Sequence, residues 1–318
     1  MTPPADEGRP VALVLRALGL GDLLVAVPAL RGLRRARPEH RVVLAAPEWL
    51  RPVVDLVPAV DALLPVAGLD APLPVVGPVD LAVNLHGRGP QSHALLDALD
   101  PRHRIGHVAP GWGGPTWVED TLERARWVDL LARAGVPGDP DAVGIARPAA
   151  ASPAPGAVVV HVGAAYGSRS WPAERFAAVA RTLAADGRAV VLTGSVAERE
   201  RATAVAAEAG LPRSANLAGR TDLATLAALV ADAALLVSVD TGAAHLASAY
   251  GTPSVVLFGP ALASRWGPPP GPHVVLTDAR LRGGDVFAAE PDPALLAVGA
   301  ADVLAAARPL LAAHRSGA

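Results

Sequence analysis

Residues 237–260, VSVDTGAAHLASAYGTPSVVLFGP, decide the fold. Their first residues close the apolar run Leu235–Val239, which reads as a buried strand. Thr241–Tyr250 carries small and apolar residues at helical spacing, and Ser254–Phe258 returns to an unbroken apolar run. A strand, a helix and a strand in close succession make a βαβ unit, the building block of a parallel sheet. Asp240, Thr241 and His245 interrupt the apolar pattern where strand passes into helix. Gly242, Ala243 and Ala244 leave the first helical turn without bulky side chains, so a ligand can approach that backbone. The free N–H groups and positive dipole of a helix start suit an anion, most simply a phosphate or diphosphate. The plainer alternative makes Asp240 or Thr241 a helix cap and His245 a structural histidine.

Working outward, the second half repeats the alternation. A strand at Val158–Val162, a helix at Pro172–Ala185, a strand at Ala189–Thr193 and helices at Ala197–Ala209 and Leu223–Ala233 precede the opening stretch. A last helix is expected over Pro293–His314, free to return to the first half. The first half reads as strands Val11–Arg16, Val42–Ala46, Leu63–Val66 and Asp80–Leu85. Helix-like stretches lie between them, including Asp22–Ala36, which Pro28 is expected to kink. Between the halves, residues 135–156, GVPGDPDAVGIARPAAASPAPG, lose all periodicity and read as a linker. The expected organisation is α/β: two Rossmann-like, doubly wound parallel-sheet domains, residues 1–150 and 151–318. Ligands of such sheets bind at the carboxyl ends of the strands, so the chemistry is sought there.

Composition narrows the function classes. Hydrophobic residues make up 51%, but Gly, Pro or a charge interrupts each apolar run before it reaches the roughly 20 residues of a membrane span. The opening MTPPADEGRP lacks the basic-then-apolar order of a leader, and with no cysteine in the chain a cytoplasmic location is expected, peripheral membrane contact being left open. Net charge is −2 and the 28 basic residues, all arginine, are scattered, which argues against a nucleic-acid surface.

Three further junctions resemble the first. The stretch from Arg16 to Leu24, RALGLGDLL, ends a strand in a Gly-x-Gly turn and opens a helix at Gly21 and Asp22. Leu24 stands where the dinucleotide fingerprint wants a third glycine, which weakens a nicotinamide reading. Asp22 suits a base directed at a ligand, or else a helix cap. In the stretch from His161 to Pro172, HVGAAYGSRSWP, Arg169 is the loop's cation, fit to fork onto diphosphate oxygens or else simply solvated. Glu198 follows the strand ending at Thr193 and stands near a helix start, where a carboxylate accepts from ribose hydroxyls or merely favours the dipole.

Taken in order, these segments resemble glycosyltransferase family 9, the ADP-heptose heptosyltransferases of lipopolysaccharide inner-core synthesis. The matching pieces are LGLGDLLVAVPALRGLRRARP (18–38), DLAVNLHG (80–87), SRSWPAERF (168–176), LTGSVAERE (192–200), residues 216–260 and RWGP (265–268). The resemblance implies a GT-B fold with acceptor on the first domain and nucleotide sugar on the second. It implies Asp22 as catalytic base, and Gly21, Arg169, Glu198, Thr221, Asp240, Thr241, Gly242 and His245 as donor contacts. Ala261 follows Phe-Gly-Pro where the family often has threonine.

The resulting expectation is an inverting glycosyltransferase that moves a sugar, a heptose from an ADP-sugar, to a hydroxyl of a glycan or glycoside. No obligatory cofactor is expected, and no Asp-x-Asp-like cluster at either site suggests a metal. The alternatives are a non-catalytic nucleotide-sugar binding protein and an NAD-dependent oxidoreductase reading Gly19-Leu-Gly21.

Overall fold

The computed structural model describes residues 8–74 and 77–316. The first seven residues of the N-terminal stretch inspected for a leader lie outside them. The chain divides into two compact units between Ala146 and Arg147, within the expected linker.

The first unit runs β1 (Val11–Leu15), α1 (Leu20–Ala36), β2 (Arg41–Ala46), α2 (Arg51–Val54), β3 (Ala62–Pro65), β4 (Val79–Asn84), α3 (Gln91–Asp97), β5 (His103–Ile105) and α4 (Glu123–Ala132). Its strands form one parallel sheet in the order β3-β2-β1-β4-β5. β1 is buried at every position, as a central parallel strand covered on both faces must be. Helix α1 continues through Pro28 and packs on α4. β5 did not declare itself in the sequence: three residues, HRI, at a sheet edge carry no period.

The second unit runs β6 (Val158–His161), α5 (Ala173–Ala185), β7 (Val190–Thr193), α6 (Arg199–Ala209), α7 (Leu223–Ala231), β8 (Leu235–Val239), α8 (Gly242–Tyr250), β9 (Ser254–Leu257), α9 (Ala263–Trp266), β10 (His273–Leu276), α10 (Pro293–Leu296) and α11 (Ala300–Ser316). Its parallel sheet has the order β10-β9-β8-β6-β7. The quoted stretch is the β8-α8-β9 crossover, with Val237 paired to Val255. β10 is a half-buried edge strand that the sequence reading passed over. The expected C-terminal helix is two helices. Asp302 caps the second by accepting from Gly299 N–H at 2.8 Å, and α11 packs on α5 and on β8, β9 and β10 of the second unit. Trp171 and Phe176 lie in this unit's core, ring to edge at 4.8 Å, with the Trp171 indole donating to Val298 O.

Each sheet has one place where the winding reverses. In the first, the chain leaves β1 toward β2 on one side and resumes at β4 on the other. In the second, β7 lies on one side of β6 and β8 on the other. Such switch points open a crevice at the strands' carboxyl ends, because the loops that follow diverge.

Candidate functional site

At the switch point of the second sheet, the loops after β6 and β8 are held together by an ion pair. Arg169 lies in a single 3-10 turn, Gly167–Arg169, and its Nη1 donates to Asp240 Oδ2 at 3.2 Å. Both side chains are shielded, 25% and 7% exposed. Arg169 is therefore not the solvated residue of the plainer reading. Its Nε is buried without a partner among the described residues, and an orphaned guanidinium donor is costly unless a ligand meets it. The Asp240 carboxylate also stands 3.8 Å from His245 Nε2, on the first turns of α8. Trp266 packs edge-on to His245, at 6.4 Å between ring centres.

Thr241 occupies the N-cap position of α8, yet its side chain does not cap the helix. Its Oγ1 shares a 2.9 Å hydrogen bond with Ser238 Oγ on β8. The first N–H groups of an α-helix have no partner within it. With Gly242 opening α8, these groups stand beside the Arg169–Asp240 pair. Arg169 and the helix start thus supply positive character, and Asp240 fixes the guanidinium. Asp240, expected as a donor contact, gives one carboxylate oxygen to Arg169 and turns the other toward His245.

Glu198, the residue before α6, is half-buried rather than solvated. Its carboxylate accepts from Ala164 N–H at 2.7 Å and from Ser195 N–H at 2.6 Å, tying the loop after β6 to the loop after β7. Gly163 makes this possible, since a Cβ there would lie 2.4 Å from Glu198 Oε2. Below it, His161 closes β6 and shares a 3.0 Å hydrogen bond with Thr193 Oγ1. Burial holds the His161 imidazole below its ordinary pKa, against the pull of Glu198. Gly167 is equally constrained: a Cβ there would strike Ala289 O at 1.6 Å. Ser168 fastens this crossing by donating from N–H to Ala288 O and from Oγ to Val286 O. Thr221 precedes Asp222, the cap of α7, and the nearby Leu217 N–H donates to Leu192 O at the end of β7.

The switch point of the first sheet holds a second polar cluster, which includes Asp22. Gly19 is the N-cap of α1, Gly21 and Asp22 lie in its first turn, and no side chain caps the helix. The carboxylate instead meets Arg16 Nη2 at 3.0 Å, while Arg16 Nε donates to Asp22 O at 2.9 Å and Nη1 to Leu85 O at 2.5 Å. The Arg16 side chain is 2% exposed and Asp22 is 30% exposed. The arginine is thus spent on holding the carboxylate at the surface of the crevice. Burial draws the Arg16 guanidinium below its ordinary pKa and Asp22 opposes the shift. Trp127 stacks under Arg16, 4.7 Å from the ring centre. His86, two residues past β4, accepts at Nδ1 from Ala17 N–H at 3.2 Å. Arg16 and His86 were missed in the sequence. An arginine closing an apolar strand is a detectable anomaly, but its partner on another strand is not.

Among the described residues no group of three or more His, Cys, Asp or Glu side chains is arranged to hold a metal, and no helix is long and apolar enough to cross a membrane.

Residues 142–278 match glycosyltransferase family 9 (heptosyltransferase). Lipopolysaccharide heptosyltransferase 1 of Pseudomonas aeruginosa is 38% identical over 151 residues, which span 45% of this chain and 41% of that protein. The structure of a glycosyl transferase family 9 protein from Veillonella parvula is similar, with a TM-score of 0.80 and 22% identity over 96% of this chain and 97% of that one. E. coli ADP-heptose lipopolysaccharide heptosyltransferase II gives a TM-score of 0.75 at 20% identity, covering 96% of this chain and 99% of that one. The structural likenesses show the fold, GT-B, and the sequence match takes in every candidate residue of the second unit. The family match is confined to residues 142–278, and the aligned stretch spans 41% of the Pseudomonas aeruginosa relative.

Proposed function

We propose that the chain is an inverting glycosyltransferase that moves a heptose from an ADP-sugar to a hydroxyl of a glycan or glycoside acceptor. One observation carries the reading: at the switch point of the second sheet, a guanidinium with an unpartnered buried Nε stands beside the start of α8. A sugar diphosphate supplies the acceptor oxygens that such donors lack. Arg169 and the first N–H groups of α8 hold the diphosphate, and they hold it harder as the leaving-group charge develops. Glu198 retains lone pairs for ribose hydroxyls after accepting from Ala164 and Ser195. Thr221 lies by the base, and Gly242 and His245 line the diphosphate and sugar end. Asp22, with one oxygen fixed by Arg16, takes the proton of the attacking hydroxyl, and Gly21 beside it leaves room for the sugar. The ADP preference draws support from the ADP-heptose enzyme of E. coli to which the fold is similar. Titration calorimetry with ADP-, GDP-, UDP- and dTDP-sugars, followed by an assay of nucleotide release, tests it. Tightest binding of the ADP-sugar with slow ADP release is expected; preference for a UDP-sugar refutes the donor assignment, and binding without any release under any acceptor refutes the transferase.

A further inference from the structure

We propose that His86 is an acceptor-orienting residue: its Nε2–H donates to an oxygen adjacent to the hydroxyl that Asp22 deprotonates, so the acceptor is a sugar bound through two neighbouring oxygens. This rests on the transferase reading above. The argument starts from hydrogen-bond direction. A backbone N–H can only donate, so Ala17 N–H at 3.2 Å makes His86 Nδ1 the acceptor and leaves the ring proton on Nε2. Nε2 has no protein partner among the described residues, and the ring is half-buried. Burial and then the charge of Arg16 keep the imidazole below its ordinary pKa, with Asp22 opposing, so the ring is a neutral donor at neutral pH.

The placement is fixed from several sides. His86 N–H donates to Asn84 Oδ1 at 3.0 Å, and Asn84 Nδ2 donates to Ser92 Oγ at 2.9 Å, so a buried pair sets the turn that carries the ring. Arg16 spans the same gap, with one donor on Leu85 O and another on Asp22 Oδ1. The result is an accepting carboxylate on the first turn of α1 and a donating imidazole on the loop after β4, at the switch point of the first sheet. An acceptor hydroxyl gives its proton to Asp22, and the neighbouring ring oxygen or hydroxyl accepts from His86. A pyranoside carries such a second oxygen beside the reacting hydroxyl, and an isolated alcohol does not.

Two substitutions separate the ring's two nitrogens. His86→Gln carries an amide N–H to about the reach of Nε2, whereas His86→Asn can replace only Nδ1 toward Ala17. The full-length protein is given ADP-heptose with a panel of methyl pyranosides bearing vicinal hydroxyls and their monodeoxy counterparts, and ADP release is compared with the rate without glycoside. For His86→Asn the ratio of glycoside transfer to hydrolysis should fall about tenfold, the scale of one lost hydrogen bond. His86→Gln should recover most of it, and the monodeoxy glycosides should lose the same factor in the parent but not in His86→Asn. The ring's nitrogen NMR shifts in the parent should report a neutral Nε2–H tautomer. An Nδ1–H tautomer, an unchanged ratio in His86→Asn, failure of every vicinal glycoside to stimulate a parent that hydrolyses the donor, or equal losses in Asn and Gln each overturns the assignment. A parent that releases no ADP at all brings down the transferase reading itself.

Discussion

Replacing Arg169 by alanine separates two roles that the structure superimposes on one side chain. Arg169 stabilises the fold by pairing with Asp240, and under the proposed function it grips the diphosphate. Loss of the guanidinium removes a shielded partner of a carboxylate that is 7% exposed, but Arg169 is itself 25% exposed, so water recovers part of the loss. A cost of about 1–3 kcal/mol in stability follows, below the roughly 3–5 kcal/mol that breaking a fully buried pair costs. The Arg169 Nε has no protein partner to lose, so its contribution appears only with ligand. One charge-assisted bond is worth about 1.5–3 kcal/mol, or roughly 10–100-fold in the dissociation constant for ADP. The two effects part in a double-mutant cycle with Asp240→Asn. In thermal denaturation the double variant should be more stable than the sum of the single losses, because neither charge is left without the other. In calorimetry with ADP the double variant should bind no better than Arg169→Ala, since the cation is still missing. If Arg169→Ala binds ADP like the parent while melting earlier, the guanidinium is only a strut for Asp240 and the phosphate rests on the start of α8 alone.

The other predictions bear on different links. Asp22→Asn keeps the shape of the side chain and removes the base, so turnover with a competent acceptor should fall by at least about 100-fold while ADP affinity stays within a few fold; near-normal turnover would reduce Asp22 to a partner of Arg16. Gly163→Ala would drive a Cβ to 2.4 Å from Glu198 Oε2 and push the carboxylate off Ala164 and Ser195, for a loss of about 1–3 kcal/mol by urea denaturation. In a Glu198→Gln background the same change should cost less, and strictly additive losses would show that Glu198 does not bridge the two loops. Acid should destabilise the protein earlier than its carboxylates alone would cause. Burial is the leading influence that lowers the pKa of His86, His93, His107, His161 and His273 from 6.5. The unfolded chain therefore takes up protons that the folded one refuses as pH falls through 6.5, and stability present above that value drains away below it. Unfolding free energies at pH 8 and pH 5.5 should differ in favour of pH 8, and equal or greater stability at pH 5.5 refutes this.

The parallel strands were legible because a strand buried on both faces is a continuous apolar run, as β1, β6 and β8 are. The edge strands β5 and β10 were not, since HRI and HVVL are short and each begins with a histidine. The site junctions were legible for a related reason. Glycine and alanine at Gly163, Ala164, Gly242 and Ala243 leave backbone bare where a packed core would have filled it, and a polar residue follows each time. Hydrogen-bond partnerships were not legible. Arg169 and Asp240 are 71 positions apart and Ala17 and His86 are 69 apart, and nothing local signals that the loops meet. Nor could the sequence decide between capping and ligand binding for Thr241, because that turns on whether its hydroxyl reaches forward to the helix or back to Ser238.

Strand order supplies what spacing lacked. The first sheet runs 3-2-1-4-5, and the second, counted from its own first strand, runs 2-1-3-4-5. These are different doubly wound orders, yet each reverses beside its own first strand. In both, the loop after that first strand carries an arginine, Arg16 or Arg169, bonded to an aspartate that stands at the start of a helix, Asp22 or Asp240. The difference lies in burial. In the first unit the arginine is sealed and the carboxylate reaches the crevice, 2% against 30% exposed, which leaves an accepting group to work with. In the second the carboxylate is sealed and the arginine is the more open, 7% against 25%, which leaves a donating one. One motif turned inside out gives an oxygen suited to receiving a proton in one unit and a cation suited to receiving a diphosphate in the other. Under the proposed function the more exposed member of each pair meets the ligand, so exchanging Arg169 and Asp240 should abolish ADP binding in calorimetry while preserving the charge sum; retained binding would refute the assignment.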